Sequence, residues 1–252
     1  MKKYTSLLLA LIVSLFASGT AGAALYTWVG ATADMSDANN WSPNDGPPFG
    51  DDTLFNNSAT TKLSLNPNGF FNSNAITFSG ATYSFASASI FDSISIGTGS
   101  GSLTLSSAAS VNFSDQAINL NDAMSWSISG NSSLISAGAV DTSDKALNIL
   151  YGVSETNTVR LNSIVFGSSG SIVVTNWGGT LGSYGGANNQ LRFSVDPTAY
   201  LSKISFAGYA GSTAATQNMG SYYEVIAVPE PTTWALLAGS LTTVMILRRR
   251  RS

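Results

Sequence analysis

The sequence predicts an all-β protein: a right-handed parallel β-helix or solenoid-like body with a C-terminal β module, flanked by an N-terminal signal peptide and a C-terminal transmembrane helix. Three observations lead there. The first is a recurring apolar-polar-apolar triplet, in Ile76-Thr77-Phe78, Ile94-Ser95-Ile96, Leu103-Thr104-Leu105, Val111-Asn112-Phe113, Ile118-Asn119-Leu120 and Trp126-Ser127-Ile128. Each triplet reads as a short strand with two side chains inward and one polar residue outward. The second is spacing: from Ile94 onward the triplets start roughly eight residues apart, so three of them fill a coil of about 24 residues. The third is turn chemistry. Between Ile76 and Val140 there is no Asn-Gly or Asp-Gly to close a two-residue hairpin, which favours parallel strands stacked coil on coil. A β-sandwich of short strands is the alternative the same spacing allows.

The N-terminus sets the compartment. Lys2 and Lys3 precede an apolar run from Leu7 to Phe16, interrupted only by Ser14, and Ala21-Gly22-Ala23 supplies the small residues a signal peptidase requires. Residues 1–23 are therefore expected to be a secretory signal peptide cut after Ala23, with Ala21 and Ala23 as the cleavage determinants. The run is too short to cross about 30 Å of hydrocarbon.

Residues 24–73 are expected to form an N-terminal cap region. Tyr26-Thr27-Trp28-Val29-Gly30, Asn39-Asn40-Trp41-Ser42-Pro43 and Asp51-Asp52-Thr53-Leu54-Phe55 are aromatic anchors between Asp, Asn, Gly and Pro loops, a pattern able to cover the open end of a solenoid. Two other readings of this stretch exist. Trp28 and Trp41 could be a sugar-stacking platform, and Asp34, Asp37, Asp45, Asp51 and Asp52 could offer calcium hard oxygen ligands, although strict calcium-loop spacing is missing.

Repeats are expected over 74–140 and a closing C-terminal β module over 141–227. The module's longer candidate strands are Leu161 to Phe166, Ser171 to Trp177, Gln190 to Val195 and Leu201 to Phe206. Serine, with 40 copies, dominates the polar positions while charged residues stay at 10%.

The chain then ends on a tail. Val228-Pro229-Glu230-Pro231 reads as an extended hinge, because two prolines cannot continue a helix or a central strand. Thr232 to Leu247 carries no charge and runs into Arg248, Arg249, Arg250 and Arg251. Its helix would be about 24 Å long, marginal for a bilayer, with the arginines holding the C-terminus in the cytoplasm.

Composition excludes several chemistries. No cysteine and no histidine occur, which removes disulfides, thiolate or imidazole zinc sites and histidine-activated serine. Between Ala24 and Val228 five basic residues face thirteen acids, a net charge of −8, which disfavours nucleic acid. Lys62, Lys145 and Lys203 sit in no serine-lysine motif. Asp51 and Asp52 would point to opposite faces of a strand, and Asp141 and Asp144 bracket a turn, so neither makes a glycosidase pair. Arg160 and Arg192 look too few and too scattered to line a groove like that of a β-helical polysaccharide lyase. No catalytic residue and no enzyme activity are expected, and no resident cofactor.

Two resemblances accompany these residues. Pro229-Glu230-Pro231, the apolar segment beginning Thr232-Thr233-Trp234-Ala235-Leu236-Leu237 and the terminal arginines, paired with a signal peptide, resemble the PEP-CTERM sorting signal. That resemblance covers residues 228–252. It implies export by the Sec machinery, transient residence in the inner membrane, recognition of Pro229, Glu230 and Pro231 by an exosortase, and release to the surface of a bacterium that makes exopolysaccharide. The stretch from Asn74 to Phe85, with Ile94-Ser95-Ile96-Gly97 and Ser129-Gly130-Asn131 before Leu134, is similar to the autotransporter-associated β-strand repeat. Asn176-Trp177-Gly178-Gly179 and the segment Leu201 to Phe206 resemble the C-terminal module that commonly precedes the sorting tail. The expected role is a structural surface or matrix protein associated with exopolysaccharide. An adhesin or carbohydrate-binding protein, and a scaffold that meets copies of itself through strand edges, are the alternatives.

Overall fold

The computed structural model describes residues 23–230, apart from 31, 46–49, 57–61, 65–69, 87–92, 98–100, 114–115 and 185–187. The predicted signal peptide up to Gly22 and the tail from Pro231 onward lie outside the described residues, and so do Ala21 and Arg248 to Arg251. Among the described residues no helix is long and apolar enough to cross a membrane.

The chain winds into a β-solenoid of about five turns. Strand β1 (Leu25–Trp28) and the two-residue β2 (Trp41–Ser42) open it, joined through a 3-10 turn at Ala38–Asn40. The first coil is β3 (Asp52–Phe55), β4 (Lys62–Ser64) and β5 (Phe70–Ser73); the second is β6 (Ala75–Ser79), β7 (Thr82–Ala86) and β8 (Ser93–Ile96). The third is β9 (Ser102–Ser106), β10 (Ser110–Phe113) and β11 (Ala117–Leu120). Then come β12 (Met124–Ile128) with the long β13 (Ser133–Ser143), and β14 (Ala146–Tyr151) with the long β15 (Asn157–Phe166). After β16 (Ser171–Thr175), β17 (Asn189–Phe193) and a 3-10 helix at Thr198–Lys203, β18 (Ile204–Phe206) leads into β19 (Ser212–Asn218) and β20 (Tyr223–Pro229).

Stacking is parallel from β1 through β18. Ile76 lies on Leu103, Leu103 on Trp126, Trp126 on Ile149, Ile149 on Val174, and Val174 on Phe206. Two further faces stack beside this one, β4-β7-β10-β13-β15-β17 and β5-β8-β11, with the second halves of β13 and β15 completing the latter. A sandwich would need antiparallel neighbours, and among the described residues only β1–β2, β17–β20 and β19–β20 are antiparallel.

The period-2 reading holds at each triplet. Ile76, Phe78, Ile94, Ile96, Leu103, Leu105, Val111, Phe113, Ile118, Leu120, Trp126 and Ile128 are all buried, while the residue between each pair is not. The core is richest in aromatic rings near its start, where Phe55 stacks on Phe78 at 4.7 Å and Phe85 meets Phe113 at 4.8 Å, and mainly aliphatic further along, with Trp126, Tyr151 and Phe193 set among Ile, Leu and Val.

Coils are also found outside residues 74–140: β3 to β5 form one inside the stretch 24–73 expected to be the cap region, and β14 to β18 continue the stack within the stretch 141–227 expected to be the closing C-terminal β module. The regularity is hidden there because β13 and β15 each run through two faces. The bend in β13 falls at Gly138, where a methyl group would stand 2.1 Å from the carbonyl oxygen of Gln116 on the coil before. Capping itself is confined to the β1–β2 turn at one end and the β19–β20 hairpin at the other.

Candidate functional site

At the N-terminal end both tryptophans point inward. Trp28 is fully buried and Trp41 only 1% exposed, their rings meeting edge to face at 5.1 Å. Trp41 also stacks parallel to Phe71 at 6.1 Å and touches Phe55, and its indole N–H donates to the carbonyl of Met35 at 2.9 Å. Buried rings present no face to a sugar, which overturns the stacking-platform reading. Buried Asn40 holds the turn: its Nδ2 donates to Thr32 Oγ1 and to the Asp34 carbonyl, and its Oδ1 accepts from the Thr32 amide.

The five acids of this end serve separate bonds rather than gathering at one point. Asp34 accepts from the Ser36 amide and hydroxyl, and Asp37 caps the 3-10 turn by accepting from the Asn39 amide. Asp51 accepts from the Ala24 amide and Asp52 from the Asn74 side chain. Asp45 lies beside the Tyr26 hydroxyl, whose pKa is raised by desolvation first and by that neighbour second. Among the described residues no three such ligands come together to hold a metal ion.

Along the middle coils, sequence reasoning missed a buried polar column. Asn157 is fully buried; its Oδ1 accepts from the Ser132 amide at 2.9 Å and its Nδ2 donates to Asn189 Oδ1 at 2.9 Å. Asn189 in turn donates to the carbonyls of Gly152 and Asn176. Three successive turns are thus pinned by side chains that satisfy backbone groups a helix or flat sheet would satisfy internally. The only sequence signal was an asparagine at the start of β15 and of β17. On the outer edge, Asp144 accepts from the Ser169 amide and the Ser168 hydroxyl, bonds that hold its carboxyl below the ordinary carboxylate range. Asp141 caps its own turn by accepting from the Ser143 amide. The two acids serve separate local bonds.

The C-terminal end brings together residues the sequence left apart. Arg160 and Arg192 are register partners on β15 and β17, and Arg192 faces Glu224 on β20. Arg160 donates to the Ser221 carbonyl at 2.7 Å and to Ser194 Oγ at 3.1 Å. Arg192 donates to Gln190 and lies 4.2 Å over the Tyr222 ring, a cation-π contact. Both guanidinium groups therefore fasten the tip of the β19–β20 hairpin, residues 219–222, to the last coils. The expectation that they are scattered is corrected: parallel stacking placed them side by side.

The same hairpin takes up the start of the tail. Ala227 is buried and pairs with Ala214, Val228 pairs with Thr213, and Pro229 lies opposite Ser212. The Glu230 amide donates to the Gly211 carbonyl at 3.0 Å. Pro229 lies beyond the last residue of β20 paired with β17, where a missing N–H is tolerated. Val228, Pro229 and Glu230 are half-buried and continue the body, so the hinge expected from Val228 onward is not seen over these three residues. Pro231 lies outside the described residues.

No protein-family model, curated protein or solved structure matches this chain.

Proposed function

We propose that this chain is an exported bacterial surface or extracellular-matrix protein, delivered by Sec export and signal peptidase and sorted by an exosortase through its C-terminal tail. The observation that carries the reading is the ordered set at the terminus: Pro229-Glu230-Pro231, an uncharged apolar segment from Thr232 to Leu247, then four arginines. In the precursor, Thr232 to Leu247 crosses the inner membrane and Arg248 to Arg251 hold its end inside. Pro229, Glu230 and Pro231 are acted upon; they recognise nothing themselves.

The body's role is structural and non-enzymatic, in contact with the cell's own exopolysaccharide, and its coil is right-handed, the sense that follows strand twist. What supports this is a rod filled by packed side chains, faced by rows of serine, threonine and asparagine, with its acids tied into turns and its outer arginines tied to the closing hairpin. Such a surface offers many neutral hydrogen-bonding groups to hydrated polymer and, at net −8 for residues 24–228, none of the positive field that nucleic acid requires.

Mass spectrometry of protein recovered from the surface or medium of the producing bacterium tests the sorting reading. The mature chain is expected to start at Ala24 and to lack Trp234 and everything after it, and Glu230→Ala is expected to leave full-length protein in the inner membrane. Arg251 still attached to surface protein would replace sorting by a plain one-helix anchor. Co-sedimentation of the mature body with purified exopolysaccharide, with and without calcium, tests the second half; no binding under either condition refutes it.

A further inference from the structure

The solenoid's two ends are finished differently. At the N-terminal end β2, β4 and β5 are two, three and four residues long, and β2 runs directly into Pro43, which has no N–H to offer. Short edges and proline are devices that block pairing with another chain. At the C-terminal end β18 is only three residues, but β19 is seven, Ser-Thr-Ala-Ala-Thr-Gln-Asn. Among the described residues β19 forms a ladder only with β20; β18 and the 3-10 helix at Thr198–Lys203 pack near it and the Ser212 amide donates to the Tyr209 carbonyl, but no strand ladder is formed on its other side. β19 contains no proline, no charge and no bulge, and its pairing with β20 is unbroken from Ser212 to Asn218. Thr213, Gln217 and Asn218 are exposed and the rest half-buried. The arginine contacts to Ser221 and Tyr222 hold this hairpin in place, so the edge is presented ready ordered.

From this we propose that two copies of the chain associate through β19, edge to edge and antiparallel about a two-fold axis at Ala215, joining their sheets into one. A second copy is the occupant this edge fits. Head-to-tail stacking would set seven residues against edges of two to four, whereas β19 against itself matches along its full length. The pairing is also chemically self-complementary: Ala215 meets Ala215, Ala214 meets Thr216, Thr213 meets Gln217 and Ser212 meets Asn218. Small side chains at the axis allow close approach, and the outer pairs are neutral hydrogen-bonding residues with no like charges opposed. A two-fold contact of this kind closes on itself, giving a dimer and not a fibre. This inference uses no residue of the tail, so it stands or falls independently of the sorting reading.

The chain has no cysteine, so a single introduced cysteine reports only on contact between copies. In an antiparallel pair, facing Cα atoms lie about 4.5–5.5 Å apart, within the reach of a disulfide. Full-length protein extracted in mild detergent and carrying Ala215→Cys is expected to cross-link to a covalent dimer under mild oxidation. Ser212→Cys, whose copy would lie roughly 20 Å away across the axis, is expected to stay monomeric on a denaturing gel. The unmodified chain is expected to sediment at twice the chain mass, and Thr213→Lys with Gln217→Lys at one chain mass with an unchanged unfolding midpoint. Equal cross-linking at 212 and 215, a monomeric unmodified chain, or a dimer that survives both lysines would each overturn the proposal, the last by placing association in the tail. Larger open oligomers of the unmodified chain would overturn it in favour of head-to-tail stacking.

Discussion

Trp41→Ala is the perturbation that tests most directly how the aromatic end of the solenoid is used. Trp41 is 1% exposed, packs against Trp28, Phe55 and Phe71, and donates to the Met35 carbonyl. Truncating a buried tryptophan costs about 3–5 kcal/mol, from lost transfer energy and the cavity that remains. The bond to Met35 contributes about 1 kcal/mol of that loss. Because each coil contacts only its neighbours, the loss falls on the end it caps and is not spread evenly along the rod. Native-state hydrogen exchange reads it locally: 3 kcal/mol is roughly a hundredfold faster opening, expected in the amides of β1 and β3 and not in those of β12 and β14. Trp41→Phe keeps the ring packing and loses the donor, so about 1 kcal/mol, or roughly fivefold, is expected there. Unchanged exchange at β1 and β3 in the alanine variant, together with lost binding to exopolysaccharide, would refute the capping argument and restore the sugar platform.

Three further outcomes follow from the coils. Asn157→Ala leaves the Ser132 amide and Asn189 Oδ1 without their partner, at about 1–3 kcal/mol for each buried group left unpaired; denaturant unfolding should show a lower midpoint with unchanged slope. Gly138→Ala puts a methyl group 2.1 Å from the Gln116 carbonyl oxygen, so the corner of β13 must open and the thermal midpoint must fall; an unchanged midpoint would mean the coils can part there freely. Asp144 and Asp196 have carboxyl groups held below their usual value of 3.8, by the Ser169 amide and Ser168 hydroxyl in one case and by the Thr198 hydroxyl and amide in the other. The unfolded chain therefore binds more protons over that interval, and the stability these bonds give is present above 3.8 and lost as pH falls through the depressed folded values. Melting curves from about pH 6 down to about pH 2 should show this loss shrink in Asp144→Asn, and an identical pH profile for variant and parent would refute it.

The sequence by itself determined which residues face inward, because a strand has a period of two wherever it sits: Ile94 and Ile96, Leu103 and Leu105, Val111 and Phe113 had no other way to be buried together. It favoured parallel stacking over hairpins through the missing turn dipeptides while leaving a β-sandwich open, and it removed histidine and cysteine chemistry outright. What it could not show is which coil residue lies on which. Bonds between coils join residues 22 apart from Ser73 to Asp51 and 25 apart from Gly130 to Glu155, and the column through Asn157 and Asn189 joins residues 32 apart because one coil carries a longer loop. Only the closed stack set Arg160 beside Arg192, and only the hairpin drew Val228, Pro229 and Glu230 into the body. Proline forbids a ladder hydrogen bond at its own nitrogen, which is why the sequence read it as a break. Whether a strand can nevertheless include it depends on what that side must pair with, and the recorded pairing of β20 with β17 stops at Val225, short of Pro229.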